Sequence, residues 1–218
     1  MILRASLVAA LLLPTAAPAQ DLERPAGWVV RPDDSAADAD TTLRFVAMPP
    51  GWHVTTGPPV ILYDPAATAA GSFRVEAETY RFPGDSAAGF GLFMGGRGLE
   101  GPELDYVAFL VDRDGRFELH HRGGAEIHSI AERTAHPAIV PWTGGTAKNV
   151  LSAEVRPDSV RFLVNGEEVA AYERQSYMDF DGIVGLRVGG GINLHVTRLD
   201  VTRLEESGEG ATPRPESR

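Results

Sequence analysis

The chain has 218 residues, no cysteine and a formal net charge of −10. A domain of roughly 200 residues buries about 70% of its unfolded surface, so one domain can stand here without disulfides. The acidic balance argues against nucleic acid, whose phosphates recruit Lys and Arg, and against anionic membrane surfaces.

The chain opens with Met1-Ile-Leu-Arg-Ala-Ser, an apolar run from Leu7 to Leu13, and Ala17-Pro18-Ala19. One basic residue, a short apolar core and a small-residue end describe a secretory signal peptide over residues 1–20; a buried or disordered N-terminus is the alternative. The run is too short for a bilayer, which takes about 20 residues. The mature protein is expected to begin near Gln20 or Asp21, to reside in the periplasm or outside the cell, and to be a monomer. Residues 21–40 are polar and Ala-rich and read as an entry segment, ordered where Trp28, Val29 and Val30 can dock.

A succession of strands follows over 41–204. Thr42 to Met48 and Trp52 to Thr55 are split by Pro49-Pro50-Gly51, and Val60 to Tyr63 is expected to end at Asp64-Pro65. In Ser72 to Phe82, Phe73, Val75, Ala77 and Thr79 share one face and Arg74, Glu76, Glu78 and Tyr80 the other, the period of a half-buried strand. Gly89 to Met94 leads into a Gly95-Gly-Arg-Gly loop; Tyr106 to Val111 and Arg116 to Arg122 flank Asp112-Arg-Asp-Gly115. Ala125 to Ile130 is a weaker strand, 131–147 reads as irregular, and Asn149 to Arg156 is a strand. Val160, Phe162 and Val164 then alternate with Arg161 and Leu163, Asn165-Gly166 supplies a tight primed turn, and Val169 to Tyr172 runs back. Ile183 to Val188 and Asn193 to Leu204 close the domain through Gly189-Gly-Gly191. In the last strand Leu194 and Val196 have one parity and Leu199 and Val201 the other, which predicts a β-bulge near Thr197-Arg198. That strand is expected to pair beside an early one. Residues 205–218 are almost free of apolar side chains and read as a disordered tail. Many short strands punctuated by Gly, Pro, Asn and Asp predict an all-β, antiparallel sandwich or barrel.

Phe73-Arg-Val-Glu-Ala-Glu, Gly89-Phe-Gly-Leu-Phe-Met-Gly-Gly, Tyr106-Val-Ala-Phe-Leu-Val, the Asn-Gly hairpin, Gly182-Ile-Val-Gly-Leu-Arg-Val and Leu194-His-Val-Thr-Arg-Leu-Asp-Val come in one order. Together they resemble the concanavalin A-like lectin/glucanase superfamily, and more narrowly the exported bacterial LamG-like domains grouped with 3-keto-disaccharide hydrolases. The resemblance implies a jelly-roll β-sandwich with one hollow outer face that binds or cleaves carbohydrate. It leaves open a structural calcium held by loops; no other cofactor is expected.

The residues do not single out a catalytic set. Glu76 and Glu78 share a face, but Thr79, Tyr80 and Arg81 follow where the superfamily's Glu-x-Asp-x-x-Glu pattern has its third acid, and a solvated strand face accounts for them. Glu103 and Asp105 read as loop residues. His53, His120, His121, His128, His136 and His195 show no metal-ligand spacing, and the adjacent His120 and His121 must point to opposite faces. Asp112 to Gly115 lacks the Glu that completes a calcium loop and reads as a turn. Sugars are amphipathic and need an aromatic platform and planar polar groups. Arg97, Tyr106, Arg113, His120, Arg122 and Trp142 are the candidates for those contacts, with a cap on the core as the alternative for Trp142. The preferred reading is a carbohydrate-binding module that meets a glycan surface. A sugar hydrolase or lyase, and an envelope protein-interaction domain, are the alternatives.

Overall fold

Alternation of apolar and polar side chains makes a strand one-sided, and two such sheets bury their apolar faces against each other. The computed structural model describes residues 23–33, 43–175 and 178–205. The expected signal peptide, part of the entry segment and the tail beyond Glu205 lie outside the described residues. In chain order the strands are β1 (Val29–Pro32), β2 (Arg44–Ala47), β3 (Trp52–Thr55), β4 (Val60–Ala69), β5 (Phe73–Arg81), β6 (Phe90–Arg97) and β7 (Asp105–Val111). They continue with β8 (Arg116–Gly123), β9 (Glu126–Ala135), β10 (Ala147–Val155), β11 (Ser159–Val164), β12 (Glu167–Glu173), β13 (Gly182–Val188) and β14 (Asn193–Arg203). No helix occurs among the described residues.

Two antiparallel seven-stranded sheets result. Sheet A has the order β1-β4-β13-β6-β7-β8-β9 and sheet B the order β12-β11-β10-β5-β14-β3-β2. Between them, Leu62, Leu92, Phe109 and Leu186 of sheet A meet Val75, Leu151 and Phe162 of sheet B, all essentially without exposure. Phe109 and Phe162 touch across the layers with ring centroids 5.1 Å apart. The last strand, β14, lies between β3 and β5 as expected, and its register slips between Val196 and Arg198. The β11–β12 hairpin turns at Asn165 (φ 53°) and Gly166 (φ 84°).

Four segments depart from the expectation. The entry segment contributes a strand: β1 pairs with β4, while Trp28 meets Phe45 edge-on and Trp52 at a tilt, with ring centroids 5.4 and 4.7 Å away. Strand β4 runs on past Pro65. Its pairing with β13 jumps from Tyr63 to Thr68, and β1 pairs only with residues 60–63, so the proline interrupts no ladder bond. Gly95 to Arg97 belongs to the end of β6 through a bulge rather than to a loop. Strand β9 reaches Ala135, because its exposed edge position removes the apolar alternation that would have marked it.

The two sheets differ on their outer faces. Strand β5 alternates buried and half-buried residues along its whole length, the pattern of one wet face. Strands β6 and β7 are buried nearly throughout. Their outer face carries a second apolar cluster of Ile61, Tyr63, Phe93, Leu99, Leu104, Tyr106, Ala108 and Leu110. The outer face of sheet A is therefore roofed in part by the 98–104 loop, and polar groups standing on it are partly withdrawn from water.

Candidate functional site

Cross-strand register lays out this face. One row runs Arg31, Ile61, Arg187, Gly91, Leu110, Glu118 across β1, β4, β13, β6, β7 and β8. The next runs Val29, Tyr63, Gly185, Phe93, Ala108, His120, and beyond it Tyr106 pairs with Arg122. The rings of Tyr63, Phe93 and Tyr106 form the apolar floor, with Phe93 at 6.3 Å from Tyr63 and 5.3 Å from Tyr106. Gly185 is what lets Phe93 lie down: a Cβ there would sit 2.5 Å from the ring.

Polar groups converge above this floor. Arg187, only 9% exposed along its side chain, donates from Nη1 and Nη2 to Oδ1 and Oδ2 of Asp33 at 3.0 and 2.6 Å. Arg122 places Nη1 3.7 Å from Oδ2 of the same carboxylate and donates from Nε to the Gly124 carbonyl at 2.7 Å. Arg31 donates to the Gly101 carbonyl at 3.1 Å. Burial, reinforced by Arg187 and Arg122, holds His120 down at about 4, so its imidazole is neutral near pH 7. Burial likewise raises the Glu118 carboxyl above the usual range, against the pull of Arg133. Burial also raises Tyr106, whose hydroxyl has no hydrogen-bond partner among the described residues.

Two of the cavities on this face border these polar groups. One of about 240 Å³ is lined by Glu118, His120, Arg133, Arg187 and the Gly189–Gly190 turn. The other, of about 500 Å³, is lined by Arg31, Asp33, Glu100, Arg122 and neighbouring backbone. The Arg187–Asp33 pair joins them, since Arg187 borders the first and Asp33 the second. A larger cavity of about 560 Å³ lies at the rim between β9 and β12, beside His121, His128, Tyr172 and Met178. There His128 is 59% exposed along its side chain and paired with the still more exposed Glu126, so little in that rim is desolvated enough to discriminate a ligand from water.

Of the residues singled out from the sequence, Tyr106, His120 and Arg122 come together on this face. Arg97 does not: it is tied to Asp179 and Asp105 at the far end of β6. Arg113 and Trp142 form a separate pair at the β7–β8 turn, the guanidinium 4.8 Å over the ring, with Trp142 Nε1 donating to the Gly145 carbonyl. Trp142 therefore does not cap the core. His120 and His121 point to opposite faces, His121 bonding Asp105 at 2.8 Å. Glu76 and Glu78 lie on the outer face of sheet B, where Arg74, Arg198 and Lys148 pair with them. Asp112 accepts from the backbone N–H groups of Asp114 and Arg116 and pairs with Arg133, as a turn residue does. No group of three or more His, Cys, Asp or Glu stands in position to hold a metal among the described residues.

Sequence reasoning missed Arg187, Asp33, Arg31 and Glu118. Arg187 carried a signal: a lone charge inside Ile183-Val-Gly-Leu-Arg-Val must be paired if that strand is buried on both faces. Asp33 gave none, for its partner is 154 residues away.

Neither family models nor curated proteins give a match. Solved structures do. The chain is similar to the carbohydrate-binding module CBM66 from Bacillus subtilis, with TM-score 0.61 at 12% identity over 81% of this chain and 95% of that one. It is similar to a Bacteroides ovatus GH16 protein of a mixed-linkage glucan locus, in complex with its product, with TM-score 0.58 at 8% identity over 83% and 97%. The exoplasmic/lumenal domain of VIP36, in its Ca²⁺- and Man3GlcNAc-bound form, gives TM-score 0.58 at 9% identity over 86% of each chain. The chain thus has the concanavalin A-like jelly-roll fold. The narrower resemblance to 3-keto-disaccharide hydrolases rests on sequence motifs alone.

Proposed function

We propose that the protein is an exported carbohydrate-binding domain and that the outer face of sheet A is its glycan-binding surface. One observation carries this reading: Arg187, Arg122 and His120, from two strands inside one sheet, converge over a buried aromatic layer and border two cavities. Planar guanidinium groups and a neutral imidazole suit sugar hydroxyls, which both donate and accept. The neighbours that share the fold include a carbohydrate-binding module and a glycan-bound lumenal domain, which agrees with the proposal.

A catalytic reading has one observation in its favour, the Glu118 carboxyl with its raised pKa beside neutral His120. Asp33, the carboxylate nearest the arginines, is engaged by Arg187. Binding without turnover is the reading we adopt. Isothermal titration of the processed protein against a glycan panel tests it. At least one oligosaccharide should bind, and Arg122→Ala should weaken that binding by about tenfold or more, the effect of losing a charge-assisted contact. A folded protein that binds nothing on the panel, or that releases new reducing ends, contradicts it.

A further inference from the structure

We infer that the glycan taken by this face carries a carboxylate, as a uronic acid does, and that Asp33 occupies the carboxylate's place when no ligand is bound. The inference rests on the glycan-binding reading above and names the chemical class of its ligand.

The two arginines rise from strands inside sheet A. β13 is flanked by β4 and β6, and β8 by β7 and β9, so both guanidinium groups spring from backbone fixed on two sides. The carboxylate they share does not. Asp33 follows the edge strand β1, where its N–H donates to the Pro59 carbonyl at 2.9 Å. The cationic fork therefore stands on interior strands of the sheet, and the anion at its edge. Two parallel N–H···O bonds from one guanidinium to both oxygens of one carboxylate, with a second guanidinium close by, is the geometry that selects a planar carboxylate over a hydroxyl.

Burial makes the selection obligatory. A guanidinium as withdrawn from water as Arg187 needs an anionic partner, and a ligand that moved Asp33 aside while offering only hydroxyls would leave the cation uncompensated. A uronate replaces one carboxylate with another. His120 stands beside the fork for a ring hydroxyl, and the cavities on either side of the Arg187–Asp33 pair leave room for a chain running both ways. The net charge of −10 opposes a polyanion at long range, so the preference has to come from this local fork rather than from the overall field.

The test titrates the full processed chain with oligogalacturonate, oligomannuronate and a glucuronate-containing oligosaccharide, each beside its methyl ester, which keeps the stereochemistry and removes the charge. At least one acid form should bind about tenfold tighter than its ester. Asp33→Asn, which removes the competing carboxylate, should tighten that acid form severalfold and so widen the gap between acid and ester, and Arg187→Gln should abolish the preference. Equal affinity for acid and ester overturns the inference while leaving the glycan-binding reading in place. So does an Asp33→Asn protein that folds and binds the acid no better. If no glycan, charged or neutral, binds the unmutated protein, the broader reading falls and this one with it. The acid-against-ester comparison needs no variant and stands even if Asp33→Asn is poorly folded.

Discussion

His120 shows how the face trades stability for chemistry. It sits between Arg187 and Arg122 on a partly roofed sheet, and burial first, then those two cations, hold it at about 4. The unfolded chain binds a proton near 6.5 and the folded chain only near 4. The contribution of neutral His120 is therefore complete above about pH 6.5 and is lost as the pH falls from there toward 4, amounting to about 3 kcal/mol. Urea unfolding at about pH 7 and about pH 4.5 should show wild type losing roughly 2–3 kcal/mol more than His120→Gln, which cannot charge. Parallel losses in the two proteins would contradict the assignment. Arg187 is the complementary case: its charge persists and is answered by a carboxylate, not avoided.

At the scale of strands, what could be read from the chain was whatever depends on period two and on turn chemistry. The β11–β12 hairpin, both faces of β5 and the slip in β14 are each written in consecutive residues. What escaped depends on neighbours distant in sequence. β9 is an edge strand without alternation, β4 continues past a proline that no partner strand contests, and β1 is a strand because β4 offers it an edge. The site followed the same division: Tyr106, His120 and Arg122 alternate on one hairpin and were legible, whereas Arg187 and Asp33 meet only through the sheet order. Gly185 ties element to site, since any side chain there must displace the Phe93 ring and press on the Leu62 carbonyl, each 2.5 Å from where its Cβ would stand. Gly185→Ala should lower stability by about 2 kcal/mol through overpacking and disturb the floor, with thermal unfolding as the check. An unchanged Tm would show that Phe93 does not need the glycine.

Across the whole molecule, the two outer faces divide the labour. Sheet B exposes a lattice of ion pairs, from Arg198 through Glu76, Arg74, Glu154 and Arg161 to Glu168, whose exposed members contribute little individually. Sheet A carries over its buried aromatic layer two cavities and a withdrawn Arg–Asp–Arg group. The fold provides both faces; only the second offers partly desolvated, directional groups to a ligand. Chemical-shift mapping of the isotopically labelled protein, titrated with the tightest oligosaccharide of the panel, tests this most directly. The account predicts perturbations centred on Tyr106, His120, Arg122 and Arg187, with Glu76, Glu154 and Arg161 unmoved. Perturbations centred on sheet B, or on His121, His128 and Tyr172 at the rim, would contradict it.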